Sequence, residues 1–203
     1  YPDVFISAGF DFDFRDFIDC NALGSSLLSN PYEEFPVSPL DPDYTDKNFI
    51  ITSNITISSD LQLIGCQLAI EPHDPPYSIT IPNNITLELL ASSINSTKLF
   101  GCSEMWGGII VQSGGLLNIE GVNARPTEIH DALTGVYNNE GTTFARYAIF
   151  DHNYIGMRFE NGSHFNASPL TTEGISATEF RCSNGEIKLP PYAGEPSNTH
   201  ILL

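Results

Sequence analysis

Basic residues are scarce in this chain. Its 203 residues include 8 Lys and Arg against 25 Asp and Glu, which gives a formal net charge of −17. A surface with so much negative charge repels phosphate backbones and anionic lipid headgroups. No apolar run approaches the roughly 18 residues that a membrane span requires. We therefore expect neither nucleic-acid binding nor membrane insertion.

Helix-forming patterns are also lacking. The chain has only 2 Met and 1 Trp, and no stretch places Ala, Leu, Glu and Lys at helical spacing. Helix propensity is therefore low almost everywhere. At the same time 41% of the residues are hydrophobic, which is enough apolar area to fold around a core. These features predict an all-β globular chain.

The usual local motifs of metal and nucleotide chemistry are missing as well. The absence of a CxxC pair, HExxH helix, GxSxG elbow or Gly-rich phosphate loop disfavours zinc sites of familiar spacing, esterase chemistry and nucleotide use.

The 4 cysteines are widely separated. Among the three possible pairings we favour a disulfide between Cys66 and Cys102, with buried free thiols as the alternative. Strong acidity, few lysines and this cysteine use predict an extracellular protein.

What the chain does contain, from Lys47 onward, is a series of short apolar runs separated by Gly, Asn, Ser and Asp. Ile55–Ile57, Leu61–Ile64 and Ile79–Ile81 are examples. Such runs are shorter than ordinary sandwich strands of about five to six residues, and they follow one another more closely. The pattern favours a solenoid in which each coil contributes two or three short strands.

Irregular repeats support the solenoid. Gly108-Ile109, Gly135-Val136 and Gly156-Met157 are separated by 27 and 21 residues, and Asn84-Ile85-Thr86 follows Asn54-Ile55-Thr56 by 30 residues. Spacings of about 20 to 30 residues suit a parallel β-helix. At about 22 residues per coil, residues 47–203 would form about seven coils.

Residues 1–46 have a different character. Phe10, Phe12 and Phe14 alternate with acidic residues as in a single strand, and several prolines then interrupt regular structure. We interpret 1–46 as an irregular segment that either caps the helix or links it to a preceding domain. The chain stops within an apolar run, Ile201-Leu202-Leu203, which suggests that it is part of a longer protein.

Three segments carry a resemblance to a known family. They are Cys102–Ile119, which reads CSEMWGGIIVQSGGLLNI, Ile129–Ala132, and Phe150–Met157. Together they resemble the secreted right-handed parallel β-helix proteins of Bacteroidetes-type bacteria. The resemblance implies a right-handed helix in a cell-surface protein exported by type IX secretion and used for adhesion or surface assembly.

Several residues in these segments have an expected structural role. Trp106 is expected to cover the core or a corner, and Gly107 and Gly108 permit tight corners with positive φ. Asn153 suits a corner because Asn tolerates the left-handed region and hydrogen-bonds to neighbouring coils. We interpret these residues as packing and turn positions rather than as ligand contacts.

One polar constellation could carry chemistry. Glu128 and His130 precede Asp151 and His152 by 21 to 24 residues, so that stacking of coils would bring carboxylates and imidazoles to one face. A glycoside hydrolase needs an acid and a base on either side of one bond, and a lyase needs a base and a positive charge for the uronate. The alternative, which we favour, is that these residues hydrogen-bond along the stack.

Acidic runs also suggest calcium, because carboxylate oxygens are its natural ligands. Asp41, Asp43 and Asp46 form the best local set, and Asp11, Asp13 and Asp16 the second. Neither run has the glycine and terminal glutamate of an EF-hand loop. A solvated acidic surface is the interpretation we prefer, so no metal or cofactor is assigned.

Taken together, these observations favour a non-enzymatic structural or adhesive module of a large secreted cell-surface protein. Its expected partners are neighbouring domains of the same chain or other copies in a surface assembly, and glycans. The rival interpretations are a polysaccharide lyase or glycoside hydrolase, and a carbohydrate-binding module that uses Tyr137, Tyr147 and Tyr154. Fold-level analogy alone does not decide among them.

Overall fold

A computed structural model describes residues 32–36, 42–161, 175–182 and 185–202, and these form nineteen β-strands in three sheets. The strands of sheet A are β1 (Glu33–Glu34), β3 (Asn48–Ile51), β6 (Gln67–Ile70), β9 (Lys98–Gly101), β12 (Thr127–His130), β15 (Ala148–Asp151) and β18 (Glu179–Arg181). Those of sheet B are β2 (Asp43–Thr45), β5 (Leu61–Ile64), β8 (Thr86–Leu90), β11 (Leu116–Glu120), β14 (Thr142–Arg146) and β17 (Ile175–Ser176). Those of sheet C are β4 (Ile55–Thr56), β7 (Ser78–Ile81), β10 (Gly108–Val111), β13 (Thr134–Asn139), β16 (Ile155–Glu160) and β19 (Thr199–Leu202).

All ladders between these strands are parallel, and the chain visits sheets B, A and C in turn. Each passage is one coil, and each strand pairs with its counterpart in the coils before and after it. This arrangement confirms the predicted all-β parallel β-helix. Within the described residues, no helix has the length and apolar character needed to span a membrane.

The register confirms one of the two predicted repeats. Ile109 pairs with Val136, and Val136 pairs with Met157, as the 27- and 21-residue spacings require. The 30-residue spacing is not a repeat, because Ile55 lies in sheet C whereas Thr86 lies in sheet B. Asn54-Ile55-Thr56 and Asn84-Ile85-Thr86 are therefore similar in sequence but occupy different positions in the coil.

The described residues complete six coils, from β2–β4 to β17–β19, rather than about seven. Coil length varies because the loops between strands differ. Paired residues in sheet B are 19 residues apart at Asp43 and Gln62 and 30 apart at Leu87 and Leu117. Long connections such as 91–97 and 121–126 account for the excess over 22 residues per coil.

The core fills the interior of the coils. Strand side chains alternate between the interior and the outside, so inward residues of each sheet stack in columns from coil to coil. In sheet A one such column comprises Phe49, Leu68, Leu99, Ile129, Phe150 and Phe180. All but Phe180 are buried in the main core cluster. Burial of these columns is what makes short strands of low individual stability cooperate.

Tight corners depend on single residues in the left-handed region. Asp131 and His152, with φ of 57° and 54°, occupy the same corner between sheets A and C in successive coils. Gly108 also has a positive φ of 103°, and a Cβ there would run into the carbonyl oxygen of Thr134. A non-glycine residue at such a corner is uncommon and adopts this conformation only where its surroundings hold it.

The N-terminal end of the helix begins earlier than residue 47. β2 lies in sheet B, and β1 extends sheet A by pairing with β3. Phe35 donates its backbone N–H to the carbonyl of Ile50 at 2.8 Å, and its ring meets Phe49 edge-on at 5.1 Å. Tyr44 packs edge-on against Phe49 as well. This aromatic group closes the end of the core. Phe10, Phe12 and Phe14 lie outside the described residues.

The C-terminal end has no comparable group among the described residues. The inward positions of the last coil are Ile175, Phe180 and Ile201. None of the three is buried, and Ile201 is 38% exposed. The two ends of the apolar interior therefore differ in how far they are covered.

Candidate functional site

The candidate residues lie at the edge of sheet A, where the chain turns toward sheet C. His130 ends β12 and pairs with Asp151, which ends β15, and Asp151 pairs with Arg181 at the end of β18. Glu128 lies two residues earlier, beside Lys98 of β9. The 21-residue separation therefore does stack the two sets, as the sequence predicts.

One of the outward columns of sheet A is buried, as its inward residues are. The outward column preceding His130 is apolar and comprises Ile50, Ala69 and Phe100. These residues are at most 4% exposed although they lie outside the main core cluster. Part of the nearby cover is the segment 185–198, where Ile187 is buried and Pro190 accepts a hydrogen bond from the backbone N–H of Met105.

His130 and Asp151 continue this buried column, and His152 follows Asp151 in the turn. The side chain of His130 is 7% exposed, that of Asp151 4% and that of His152 3%. Such groups keep their place only when hydrogen bonds or ion pairs compensate for the lost water. The site is therefore a closed polar cluster at a corner of the helix.

Ion pairs join neighbouring coils within the cluster. Glu128 receives Lys98 Nζ at 2.9 Å on one oxygen and His130 Nε2 at 2.9 Å on the other. Asp151 accepts a hydrogen bond from Arg181 Nε at 3.1 Å, and its second oxygen lies 3.3 Å from His152 Nδ1. Lys98 of the preceding coil therefore pairs with Glu128, and Arg181 of the following coil pairs with Asp151.

The environment of Glu128 favours its ionised form. Burial acts to raise its pKa, but the hydrogen bond from His130 and the positive charge of Lys98 act against burial and prevail. The pKa of Glu128 is therefore below its usual value. A general acid for glycoside cleavage needs the opposite, a raised pKa that keeps its proton near neutral pH.

Two further residues hold the backbone of this corner. Asn153 donates through Nδ2 to the carbonyl of Ile129 at 2.8 Å and accepts through Oδ1 from the N–H of Ala132 at 2.8 Å. Trp106 is buried, and its indole N–H donates to the carbonyl of His130 at 2.7 Å. Each of these contacts links the corner of coil four to another coil.

The proposed calcium ligands are not brought together in the same way. Asp46 Oδ1 accepts hydrogen bonds from Ser92 Oγ at 2.7 Å and Asn95 Nδ2 at 2.9 Å. Asp43 is exposed at the start of β2. Asp41 and the second set, Asp11, Asp13 and Asp16, lie outside the described residues. In the described part of the chain, three or more metal-ligating groups converge only at His130, Asp151 and His152.

Sequence reasoning missed a groove on the outer face of sheet B. The groove has a volume of about 320 Å³ and is lined by Pro42, Asp43, Asp60, Leu61, Gln62, Thr86 and Glu88. Gln62 and Asn118 both donate their side-chain amides to Glu88, so that a polar ladder crosses three coils. The signal in the sequence was the 26-residue spacing between Leu61-Gln62-Leu63 and Leu87-Glu88-Leu89, which pair in this register.

The predicted disulfide between Cys66 and Cys102 is wrong. Cys66 is a free, buried thiol, and its Sγ donates to the carbonyl of Tyr44 at 3.3 Å. Cys102 is disulfide-bonded, but Cys66 precedes β6 whereas Cys102 follows the paired strand β9. Cys66 is level with Thr97, as its hydrogen bond shows, which leaves about 16 Å of extended strand before Cys102. A bridge requires Cα atoms within about 7 Å.

The tyrosines considered for glycan binding all contact other side chains. Tyr154 stacks on Tyr192 with ring centroids 3.8 Å apart. Arg158 lies over the ring of Tyr137 at 5.4 Å, and Arg146 lies over Tyr147 at 5.2 Å. At least one face of each ring is therefore already occupied within the chain.

Comparison of this chain with protein-family models, with curated proteins and with solved structures found no match.

Proposed function

We propose that this chain is a non-catalytic structural or adhesive module of a large protein exposed on the cell surface. The observation that carries the proposal is the difference between its two ends. Phe35, Phe49 and Tyr44 close the N-terminal end, whereas Phe180 and Ile201 remain accessible at the other. Exposed apolar side chains beside strands that have no further strand next to them, among the residues described, favour association.

The occupant that fits this end is a further β-helical coil. β17, β18 and β19 each stand last in their sheets among the described strands. An incoming coil could extend the three parallel ladders and cover the inward positions of the last coil with its own apolar side chains. Another copy of the chain can supply such a coil, which makes end-to-end assembly of modules the expected arrangement.

The closed polar cluster supports a non-catalytic role. Acid–base catalysis requires that two groups reach the same bond of a bound substrate. Here Asp151 and His130 are almost wholly covered, and their polar atoms bond to Arg181 and Glu128. A polysaccharide could reach them only after the outer face of sheet A had opened.

A second candidate function is glycan binding at the groove on sheet B. This groove is accessible, and its carboxylates and amides can accept and donate hydrogen bonds to sugar hydroxyls. Asp43 and Asp60 at its rim are exposed. Such binding without cleavage agrees with an adhesive role.

Sedimentation of the purified chain at increasing concentration tests the assembly. We expect reversible self-association that Ile201→Lys abolishes, because a charge would then be buried at the open end. Ile94→Lys is the matched control, since Ile94 is 71% exposed and lies in a loop between β8 and β9. A chain that stays monomeric, or equal loss of association in both variants, would overturn the proposed assembly.

A polysaccharide panel tests the non-catalytic role. We expect no release of reducing or unsaturated ends from any member. Cleavage by the wild-type chain that is lost in Asp151→Asn and retained in Asp43→Asn would identify an enzyme instead.

Immunogold labelling of producing cells tests the location of the protein. We expect label on surface structures, and label found mainly free in the medium would contradict the surface assignment.

A further inference from the structure

His130, Asp151 and His152 form a group whose ligand atoms all lie within 4.8 Å of one another. Each of the three residues is at most 6% exposed. We propose that this group binds one divalent transition-metal ion, zinc in the first instance, and that the ion fastens coils four and five together at the corner between sheets A and C. This inference does not depend on the proposed function.

The donor set decides the class of metal. Two imidazole nitrogens and one carboxylate oxygen are typical ligands of zinc and its neighbours in the first transition series. Calcium and magnesium instead require mainly oxygen ligands. The group therefore differs in kind from the acidic runs that suggested calcium.

The corner also orients the ligands in advance. Asp131 and His152 hold the left-handed conformation that turns the chain here, and the N–H of Asp131 donates to the carbonyl of Asp151 at 3.2 Å. Asn153 ties the turn of one coil to the backbone of the other through its two 2.8 Å bonds. A site on backbone fixed in this way loses little conformational freedom when the ion binds.

Outer contacts of the ligands follow the pattern of metal sites. The carboxylate of Glu128 accepts a hydrogen bond from Nε2 of His130 at 2.9 Å, and carboxylate partners of this kind orient the imidazole ligands of metal sites. Lys98 balances the charge of Glu128, and Arg181 binds the Asp151 oxygen that is remote from His152. His152 Nδ1 and Asp151 Oδ1, at 3.3 Å, are already close enough to share one ion.

A metal at this place would act chiefly on stability. It links residues from two coils that are 21 and 22 positions apart in the sequence, and it would bind the folded chain because the unfolded chain does not hold the three groups together. The midpoint of unfolding should therefore rise with the concentration of free zinc.

Calorimetric titration of the chelator-stripped chain with zinc chloride tests the site. We expect one equivalent of zinc, together with the visible absorption of tetrahedral cobalt when Co²⁺ replaces it. His130→Gln and His152→Gln should each weaken binding by more than about 100-fold, whereas Glu128→Gln, which removes an outer contact, should weaken it about 10- to 100-fold. His73→Gln and His200→Gln are matched controls because both residues lie outside the cluster.

Circular dichroism of each metal-free variant distinguishes a lost site from a lost fold. The proposal predicts that His130→Gln and His152→Gln keep the wild-type β-sheet spectrum and a cooperative thermal transition without zinc, but that the midpoint of this transition no longer rises when zinc is added. Absence of saturable binding by the wild-type chain, or unchanged affinity in both folded ligand variants, would overturn it. If a histidine variant does not fold, the wild-type stoichiometry and the graded loss in Glu128→Gln decide.

Discussion

Sheets A and B are both built from short strands with parallel pairing, but their outward faces differ. The outward column of sheet A that contains the candidate site comprises Ile50, Ala69, Phe100, His130, Asp151 and Arg181. The corresponding column of sheet B comprises Asp43, Gln62, Glu88, Asn118 and Phe144. The first column is buried as far as Asp151, and the second is accessible along its length.

This difference determines what a polar side chain does. On sheet B the bonds of Glu88 with Gln62 and Asn118 form beside water, which competes with them and limits their net contribution. On sheet A the same types of group are covered, so that each lost partner leaves a group that water cannot satisfy. Substitutions of the same residue type on the two sheets should therefore lower the free energy of unfolding by unequal amounts.

The largest expected effect comes from two phenylalanines in outward positions. Phe100→Ala on sheet A should lower the free energy of unfolding by about 3–5 kcal/mol because Phe100 is fully buried. Phe144→Ala on sheet B should cost about 1 kcal/mol because that side chain is only partly covered. Urea denaturation of both variants measures the difference. Similar costs would show that the outer face of sheet A opens readily in solution.

Two asparagines give a smaller contrast. Asn153→Ala removes two hydrogen bonds to buried backbone groups, and we expect a loss of about 2–3 kcal/mol. Asn118→Ala removes one accessible contact with Glu88 and should cost about 0.5 kcal/mol. Thermal unfolding monitored by circular dichroism compares them. If Asn153→Ala lowers stability no more than Asn118→Ala does, the two side-chain hydrogen bonds of Asn153 do not stabilise the corner.

The smallest expected effect concerns pH. Because the folded chain holds the pKa of Glu128 below its usual value, its ionised form stabilises the fold above about pH 4.3, the ordinary value for Glu. That contribution disappears as pH falls through the lower folded pKa. Glu128→Gln should therefore be less stable than the wild type by about 1 kcal/mol at neutral pH, and the two should converge in acid.

The matched variant for this prediction is Glu120→Gln on sheet B. Glu120 lies 3.8 Å from Arg146, and both side chains are about half exposed, so we expect a change below about 0.5 kcal/mol at neutral pH. Denaturant midpoints measured between neutral and acid pH test both variants. A stability gap between wild type and Glu128→Gln that widens as pH falls would have the wrong sign for this account.

The fold was predictable because its signals are local and repeated. Short apolar runs with polar turns required many brief strands, and the spacing of Ile109, Val136 and Met157 was the true register of sheet C. The pairing of His130 with Asp151 followed from the same reasoning. Sequence similarity wrongly predicted that the tripeptides beginning at Asn54 and Asn84 are a structural repeat, because similar tripeptides can occupy different positions in a coil.

Corner positions were less predictable. The left-handed residues include Asp46, Glu140, Tyr147 and Ala177, none of which is glycine or asparagine. Their backbone is held by the stack, as where the N–H of Asp46 donates to the carbonyl of Ile64 in the next coil. Propensity for positive φ is a small local preference, and a ladder of coil-to-coil hydrogen bonds outweighs it.

By itself the sequence determined the class of fold, the acidic surface and the stacking of two polar sets, since these depend on composition and on periods that can be counted. Only the tertiary structure decided that one outward column of sheet A is buried, that Cys66 and Cys102 lie at opposite ends of paired strands, and that His130, Asp151 and His152 share one closed corner. The reason is physical: burial and the distances between ligand atoms depend on which distant segments of the chain pack over a strand, and a local sequence pattern does not identify those segments.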